Sequence, residues 1–120
     1  MDLIVTKKVD FSFEDERGSL TQLVHDGFDQ VNVLITKKNV IRGGHYHKKS
    51  VEAFYIISGK VEVTAKYEKK VRKYNFQKGD FFEVHPYVLH SMFFEEDCIM
   101  VQMYDPCVEL PDGTKDIYTE

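Results

Sequence analysis

The sequence predicts an all-β fold, a sandwich or barrel, in one domain spanning residues 1–120. From residue 31 onward, short segments rich in Val, Ile, Phe and Tyr are separated by turn residues at the spacing typical of antiparallel strands. Residues 60–67 alternate apolar and polar side chains, which indicates a strand with one wet face. No segment keeps a helical period over ten or more residues, which leaves room only for a short helical turn near the C-terminus.

The apolar runs define the individual strands. Seven are predicted: 31–36, 51–57, 60–67, 71–76, 80–84, 90–95 and 98–104. Ser58-Gly59 and residues 78–80 are predicted turns, because glycine adopts positive φ without strain. We expect the paired phenylalanines in the strands to be core residues: Phe81, Phe82, Phe93 and Phe94.

Charge and composition exclude several classes of protein. The net charge of -4 and the pI near 5.7 argue against a general nucleic-acid binder, which needs a cationic surface. The opening residues MDLIVTKK hold only three consecutive apolar residues, too few for a signal peptide or a membrane span. We therefore expect a cytoplasmic protein with no membrane partner. Cys98 lies in an apolar run, and nothing beside Cys98 or Cys107 indicates a catalytic thiol.

Two histidines one residue apart, His45 and His47, are the most informative feature of the chain. In a strand they point to the same face, and Glu52 on the next strand can point to the same place. His90 begins a later strand that a barrel could bring opposite them. Three imidazoles and a carboxylate suit Zn, Fe, Mn or Ni, and the alternative is a set of ordinary hydrogen-bonded strand histidines.

These residues lie in segments that resemble the two cupin motifs. HYHKKSVEAFYIISG (45–59) matches His-x-His, four residues, Glu, six residues, Gly, and GDFFEVHPYVLH (79–90) resembles the second motif with His90 as its histidine. Asn39 and Tyr87 stand where the motifs usually have glycine. Asn tolerates left-handed backbone better than most residues, so its replacement of glycine is mild.

The likeness is closer to the small cupins that modify nucleotide-linked sugars. DERGSL (15–20), RGGHYHK (42–48) and PYVLHSMFFEEDCIMV (86–101) resemble the dTDP-4-keto-6-deoxyglucose 3,4-ketoisomerases. That resemblance implies a cupin jelly-roll β-barrel, a homodimer with exchanged N-terminal strands, a nucleotide-sugar substrate, and proton transfer by His45 and His47. It also implies no cofactor, because those enzymes carry Gln at the position of Glu52. Glu52 instead completes the ligand set of metal-binding cupins that also act on keto sugars.

The chemistry of a 4-keto sugar leaves two assignments open. Removal of the C3 proton gives an enediolate, which needs a base near C3 and a positive or hydrogen-bonding group near the ketone oxygen. Without a metal, His47 is the predicted base and His45 its partner. If His45, His47, Glu52 and His90 bind one divalent ion, their imidazoles cannot also accept that proton. Proton transfer would then fall to His85 or to a tyrosine: Tyr46, Tyr55 or Tyr87.

Substrate binding is predicted at a second set of residues. Cationic groups are needed for the diphosphate, and the resemblance points to Arg17, Arg42 and Lys48. His85 and Tyr87, in the second motif, complete the predicted substrate-binding set. For Lys48 the plain alternative is a solvated turn.

Three functions therefore compete. The first is an isomerase or epimerase of a nucleotide-linked 4-keto-6-deoxy sugar. The second is a metal-dependent cupin of another class, such as a dioxygenase. The third is a non-catalytic sugar-binding module, since fold does not determine function.

Overall fold

The computed structural model describes residues 2–120, which form eleven β-strands and no helix. The described residues thus contain no helix that could cross a membrane. The strands are β1 (Ile4–Lys7), β2 (Phe11–Asp15), β3 (Gly18–Gln22), β4 (Gln30–Thr36), β5 (Ile41–His45), β6 (Val51–Ser58), β7 (Lys60–Tyr67), β8 (Lys70–Gln77), β9 (Phe81–Val84), β10 (Leu89–Phe93) and β11 (Cys98–Asp105).

Two antiparallel sheets form the barrel. The larger has the order β1-β9-β6-β11-β4 and the smaller the order β5-β10-β7-β8. Strands β2 and β3 pair only with each other, as a separate hairpin. The predicted all-β class and the cupin jelly roll are thus confirmed. Within this chain β1 pairs with β9, and the predicted exchange of N-terminal strands stays a prediction.

The hydrophobic core lies between the two sheets. Phe76 stacks on Phe82 with ring centroids 3.9 Å apart, and Phe82 stacks in turn on Phe54 at 5.3 Å. The predicted alternation in β7 is confirmed, because Val61, Val63 and Ala65 are buried while the polar residues that alternate with them are partly exposed. Of the four phenylalanines predicted to be core, Phe81, Phe82 and Phe94 are buried, and Phe93 is 37% exposed.

All seven predicted strands are present, within two residues at each end, as β4 and β6 to β11. The seven predicted ranges leave out β1, β2, β3 and β5, which are short and mostly exposed. Such strands carry little alternation of apolar and polar residues, the signal on which strand prediction depends. The possible C-terminal helical turn is absent from the described residues, where the chain forms turns and isolated bridges after β11.

Both residues that replace a motif glycine have left-handed backbone. Asn39 has φ 68° and Tyr87 has φ 70°, in the region that glycine occupies at least cost. At Asn39 this conformation agrees with the tolerance of Asn for left-handed backbone. At Tyr87 a bulky side chain occupies the same region, which is unusual for such a residue.

Strand β5 approaches β10 closely at a glycine. A Cβ atom added to Gly43 would lie 2.8 Å from the carbonyl oxygen of His90 and 3.2 Å from the Cα of Ser91. The register between the two strands shifts at this point, between His90 and Ser91, and His45 lies opposite His90. Gly43 therefore permits the strand contact that sets His45 against His90.

Candidate functional site

The structure brings together the four residues predicted as metal ligands. One ligand atom from each of His45, His47, Glu52 and His90 lies within 4.8 Å of the others. The imidazole centroids are 5.0 Å apart for His45 and His47, 4.8 Å for His45 and His90, and 5.3 Å for His47 and His90. The side chains of His47, Glu52 and His90 are almost completely buried, whereas His45 is half-buried.

Both sheets contribute to this cluster. His45 ends β5 and His90 lies on β10, in the smaller sheet, whereas Glu52 lies on β6 in the larger one. His47 lies two residues beyond the end of β5. The strand predicted to carry both motif histidines therefore ends at His45. The position of His47 depends instead on the contacts that residues 46–50 make with the rest of the chain.

Two backbone carbonyls determine which imidazole nitrogens carry a proton. Nδ1 of His47 lies 2.7 Å from the carbonyl oxygen of Asp116, and Nδ1 of His90 lies 3.0 Å from that of Val88. A carbonyl oxygen only accepts, so each Nδ1 donates its hydrogen. In a neutral ring the Nε2 atom then carries a lone pair, and both Nε2 atoms lie 2.9 Å from Oε1 of Glu52.

A lone pair facing a carboxylate oxygen at this distance is repulsive, so the arrangement needs a positive charge. The charge is supplied either by a second proton on an imidazole or by a cation shared between the rings and the carboxylate. Nε2 of His90 does not reach hydrogen-bond geometry with Glu52 despite the short distance, and Nε2 of His45 is buried with no partner. Two orphaned imidazole nitrogens and a carboxylate oxygen match the donor set of a borderline divalent metal.

The same contacts shift the pKa values of the clustered side chains. Burial lowers the pKa of His45 to about 4, and the neighbouring His90 adds to this effect. For His47, burial alone would lower the pKa, but the hydrogen bond and charge of Glu52 raise it. Burial opposes ionisation of Glu52, yet His47 and His90 hold its pKa well below the ordinary range. At neutral pH the cluster therefore contains an ionised Glu52 and a neutral His45 ring.

Sequence reasoning missed Gln102, which binds Glu52, and Asn32, which binds Gln102 in turn. The side-chain amide of Gln102 donates to Oε2 of Glu52 at 2.7 Å and lies 3.1 Å from the hydroxyl of Tyr104. The amide of Asn32 donates in turn to Oε1 of Gln102 at 3.0 Å. Burial raises the pKa of Tyr104 well above its ordinary range, and the charge of Glu52 adds to it. A lone amide in the apolar run CIMVQMY was the available sequence signal for Gln102.

A cavity of about 200 Å³ opens onto the cluster inside the barrel. Its lining combines three of the clustered side chains with Arg42 and Gln102. Arg42 is oriented by a hydrogen bond from its Nε to Oγ1 of Thr36, at 2.8 Å. Arg42 is therefore the predicted substrate-binding residue that the structure places at the cavity.

The other predicted substrate-binding residues do not line that cavity. Arg17 lies at the tip of the β2–β3 hairpin, paired with Asp15 at 2.7 Å. Lys48 lies over the ring of Tyr118, with Nζ 4.2 Å from the centroid. His85 is exposed and lies 3.0 Å from Glu83.

The tyrosines predicted as alternative proton carriers also lie outside the lining of the barrel cavity. Tyr87 is 54% exposed and stacks on Tyr46 with centroids 6.1 Å apart. Tyr55 packs against Phe81 on the outer face of the larger sheet. Within the described chain, these residues contribute no group to the histidine cluster.

A two-sheet barrel with three inward histidines and one glutamate in the two motif segments defines a cupin. The chain belongs to the polysaccharide biosynthesis C-terminal domain family, whose model matches residues 13–104. No curated protein matches the chain in sequence.

Solved structures share the fold at low sequence identity. QdtA, a sugar 3,4-ketoisomerase from Thermoanaerobacterium thermosaccharolyticum in complex with TDP, superposes with a TM-score of 0.76 at 18% identity, over 98% of this chain and 86% of that one. A 3,4-ketoisomerase from Helicobacter canadensis gives 0.78 at 15% identity, over 98% and 89%. The dTDP-4-dehydrorhamnose 3,5-epimerase from Sulfolobus tokodaii gives 0.68 at 17% identity, over 86% and 75%. The predicted resemblance to the nucleotide-sugar cupins is thus confirmed at the level of the fold.

Proposed function

We propose that the protein is an isomerase that moves the ketone of a nucleotide-linked 4-keto-6-deoxy sugar between C4 and C3. The observation that carries this proposal is the buried cluster of three imidazoles and one carboxylate at the barrel cavity. The fold is shared with two 3,4-ketoisomerases, one of them in complex with TDP, and this likeness supports the same class of substrate.

The reaction requires a base that is unprotonated and accessible from the cavity. Within the predicted pair His45 fits these conditions better, because its lowered pKa of about 4 keeps the ring neutral and its side chain lines the cavity, whereas His47 is not part of the lining. His47 is held between Asp116 and Glu52, and the hydrogen bond and charge of Glu52 raise its pKa and favour the positively charged ring. Within the predicted catalytic pair, we therefore assign proton abstraction to His45 and charge stabilisation to His47.

The step is balanced without a redox partner. Removal of the C3 proton leaves an enediolate over C3 and C4, and return of a proton to C4 while the O3 proton passes to O4 moves the ketone to C3. Return of the proton to C3 from the opposite face would instead give an epimer. The S. tokodaii epimerase shares the fold, so the stereochemical outcome is measured together with isomerisation.

The size of the cavity determines which part of the substrate enters it. At about 200 Å³ it is smaller than the ~300–1,000 Å³ usual for small-molecule sites. We infer that the sugar enters and that the nucleotide lies at the mouth, where Arg42 can contact the diphosphate. A substrate role for Arg17 would require the hairpin of one copy to approach the cavity of another.

A homodimer is part of this proposal. On β4 the outward side chains are apolar: Val31, Val33 and Ile35 are 61%, 63% and 72% exposed. The β2–β3 hairpin exposes Phe11 and Phe13 in addition. Strand β4 is also an edge of its sheet, with backbone groups free to pair. A second copy that covers this edge would bury the exposed apolar residues.

A second candidate is a metal-dependent isomerase or epimerase of the same kind of substrate. In their neutral forms His47 and His90 carry their proton on Nδ1, so that each Nε2 atom faces Glu52 with a lone pair. This arrangement of donor atoms favours a metal ion. We propose His45, His47, Glu52 and His90 as ligands of one divalent ion such as Zn, Fe, Mn or Ni. When bound, such an ion supplies Lewis-acid polarisation of the ketone.

Deuterium exchange tests the proposed function. Incubation of the full chain with dTDP-4-keto-6-deoxyglucose in deuterated water should incorporate deuterium at C3 or C4, and NMR of the product should identify the ketone position. The assay is run on metal-loaded and chelator-treated protein, which separates the two candidates. If the substrate raises the melting temperature but neither deuterium exchange nor product is detected, the protein is a non-catalytic binding module.

A further inference from the structure

The chain after β11 contacts the histidine cluster although it lies beyond the family match, which ends at residue 104. We call residues 106–118 the C-terminal strap. Its closest contact with the site is the carbonyl oxygen of Asp116, which accepts a hydrogen bond from Nδ1 of His47 at 2.7 Å. This contact determines which nitrogen of His47 faces Glu52.

The side chain of Asp116 holds the backbone that follows His47. Its carboxylate accepts three consecutive backbone N–H groups, from Lys48 at 3.0 Å, Lys49 at 2.8 Å and Ser50 at 2.9 Å. Asp116 is 1% exposed, so these bonds are shielded from water. Successive N–H groups around an anion form a nest, and this nest begins one residue after the imidazole. One residue therefore binds both the ring of His47 and the turn that carries it.

Two further contacts anchor the strap on either side of Asp116. Tyr46 and Tyr118 exchange two backbone hydrogen bonds, at 2.9 and 3.0 Å. The hydroxyl of Ser50 donates to the carbonyl of Pro106 at 3.0 Å. The strap is thereby attached both before and after His47 in the sequence.

We propose that Asp116 is a positioning residue and that the C-terminal strap sets the orientation and tautomer of His47. With Nδ1 donating to the strap, Nε2 is directed at Glu52, 2.9 Å away. If the strap detaches, the ring loses the acceptor that selects the Nδ1–H form and becomes free to rotate. The inference rests on the proposed role of His47 in the site, although its principal readout requires neither substrate nor turnover.

The test compares Asp116→Asn with the matched control Asp112→Asn in the full chain. Asp112 lies in the same strap but is exposed and binds only Thr114. In chelator-treated wild type and in the control, at a pH high enough for the His47 ring to be neutral, ¹⁵N NMR of the histidine rings should show His47 in the Nδ1–H form. In Asp116→Asn an Nε2–H population should appear, and the affinity for zinc alone should fall about 10–100-fold.

A milder variant covers the case in which Asp116→Asn does not fold. Ser50→Ala removes only the hydroxyl bond to Pro106, and we expect a smaller change in the same direction. An unaltered His47 tautomer and unaltered zinc affinity, in whichever of the two variants fold, would overturn the proposal. A neutral wild-type His47 that carries its proton on Nε2 would overturn it as well. If deuterium exchange is absent but the His47 tautomer changes as expected in the variants, the proposed function is rejected and the role of the strap is retained.

Discussion

Nε2 of His47 and Oε1 of Glu52 lie 2.9 Å apart, in side chains that are each 1% exposed. Because Nδ1 of His47 already donates to a carbonyl, this contact is attractive only when the ring gains a proton or the pair shares a cation. The requirement for positive charge is a property of the apoprotein geometry. Substitution of either member of this pair is therefore the most informative test of the site.

Glu52→Gln should weaken metal binding by about 100-fold or more, since it replaces an anionic ligand with a neutral amide. Calorimetric titration with zinc and elemental analysis of protein purified without chelator measure the effect. Glu83→Gln is the matched control, because Glu83 also contacts a histidine, His85, but lies outside the barrel cavity. Equal zinc affinity in wild type and Glu52→Gln would exclude Glu52 as a ligand.

His45→Asn should reduce deuterium exchange into the substrate by about 10²–10⁴-fold, the usual contribution of a general base. The fold should remain, because Nε2 of His45 has no hydrogen-bond partner. His85→Asn removes an exposed histidine that is paired with Glu83 and should leave the rate near that of wild type. A larger loss for His85→Asn than for His45→Asn would reverse the assignment of the base.

Chelator-treated protein should be most stable near pH 6.5. Glu52 and His45 have lowered pKa values, from 4.5 and 6.5, so their contributions are present at higher pH and are lost as the pH falls. His47 has a pKa raised above 6.5, so its contribution is present below that value and is lost as the pH rises through the folded pKa. Thermal melts from pH 4 to 9 should give a maximum with lower Tm on both sides, and His45→Gln should flatten the acid limb. A Tm that rises steadily to pH 9 would contradict this assignment of charges.

Gly43→Ala should destabilise the protein more than Gly44→Ala. Both residues have positive φ, so each substitution carries a backbone cost of about 1–2 kcal/mol. Only at Gly43 does the new Cβ meet the backbone of His90, at 2.8 Å, which adds about 1–3 kcal/mol of overpacking. Urea denaturation measures the difference in the free energy of unfolding. Equal losses at the two positions would mean that β5 can move away from β10 at little cost.

Val33→Lys should weaken the proposed dimer, because it places a charge in the exposed apolar row of β4. Light scattering over a dilution series should show a shift towards monomer of about tenfold or more in the dissociation constant. Val71→Lys on β8 is the control, since Val71 is also exposed, at 49%, but lies in the other sheet. A wild-type mass equal to one chain would remove the dimer from the proposal.

Much of the site was predictable because its ligands lie in short local patterns. His45 and His47 are two residues apart and Glu52 follows on the next strand, so strand periodicity alone indicates that they converge. The support from Gln102 and Asp116 was not predictable in the same way. Gln102 reaches Glu52 across 50 positions and Asp116 reaches His47 across 69, and neither lies in a motif.

Local sequence therefore specifies the all-β class, seven of the eleven strands and the identity of the cluster, since these depend on side-chain alternation and residue type over a few positions. Only the tertiary structure determines which predicted binding residues reach the cavity. Arg42 lines it, whereas Arg17 lies on the separate β2–β3 hairpin. The tertiary structure also decides the tautomers of His47 and His90, because a carbonyl acceptor placed by distant or bent backbone selects the protonated nitrogen. Alternation along a strand carries no information about such contacts, which form only when the two sheets and the C-terminal strap pack together.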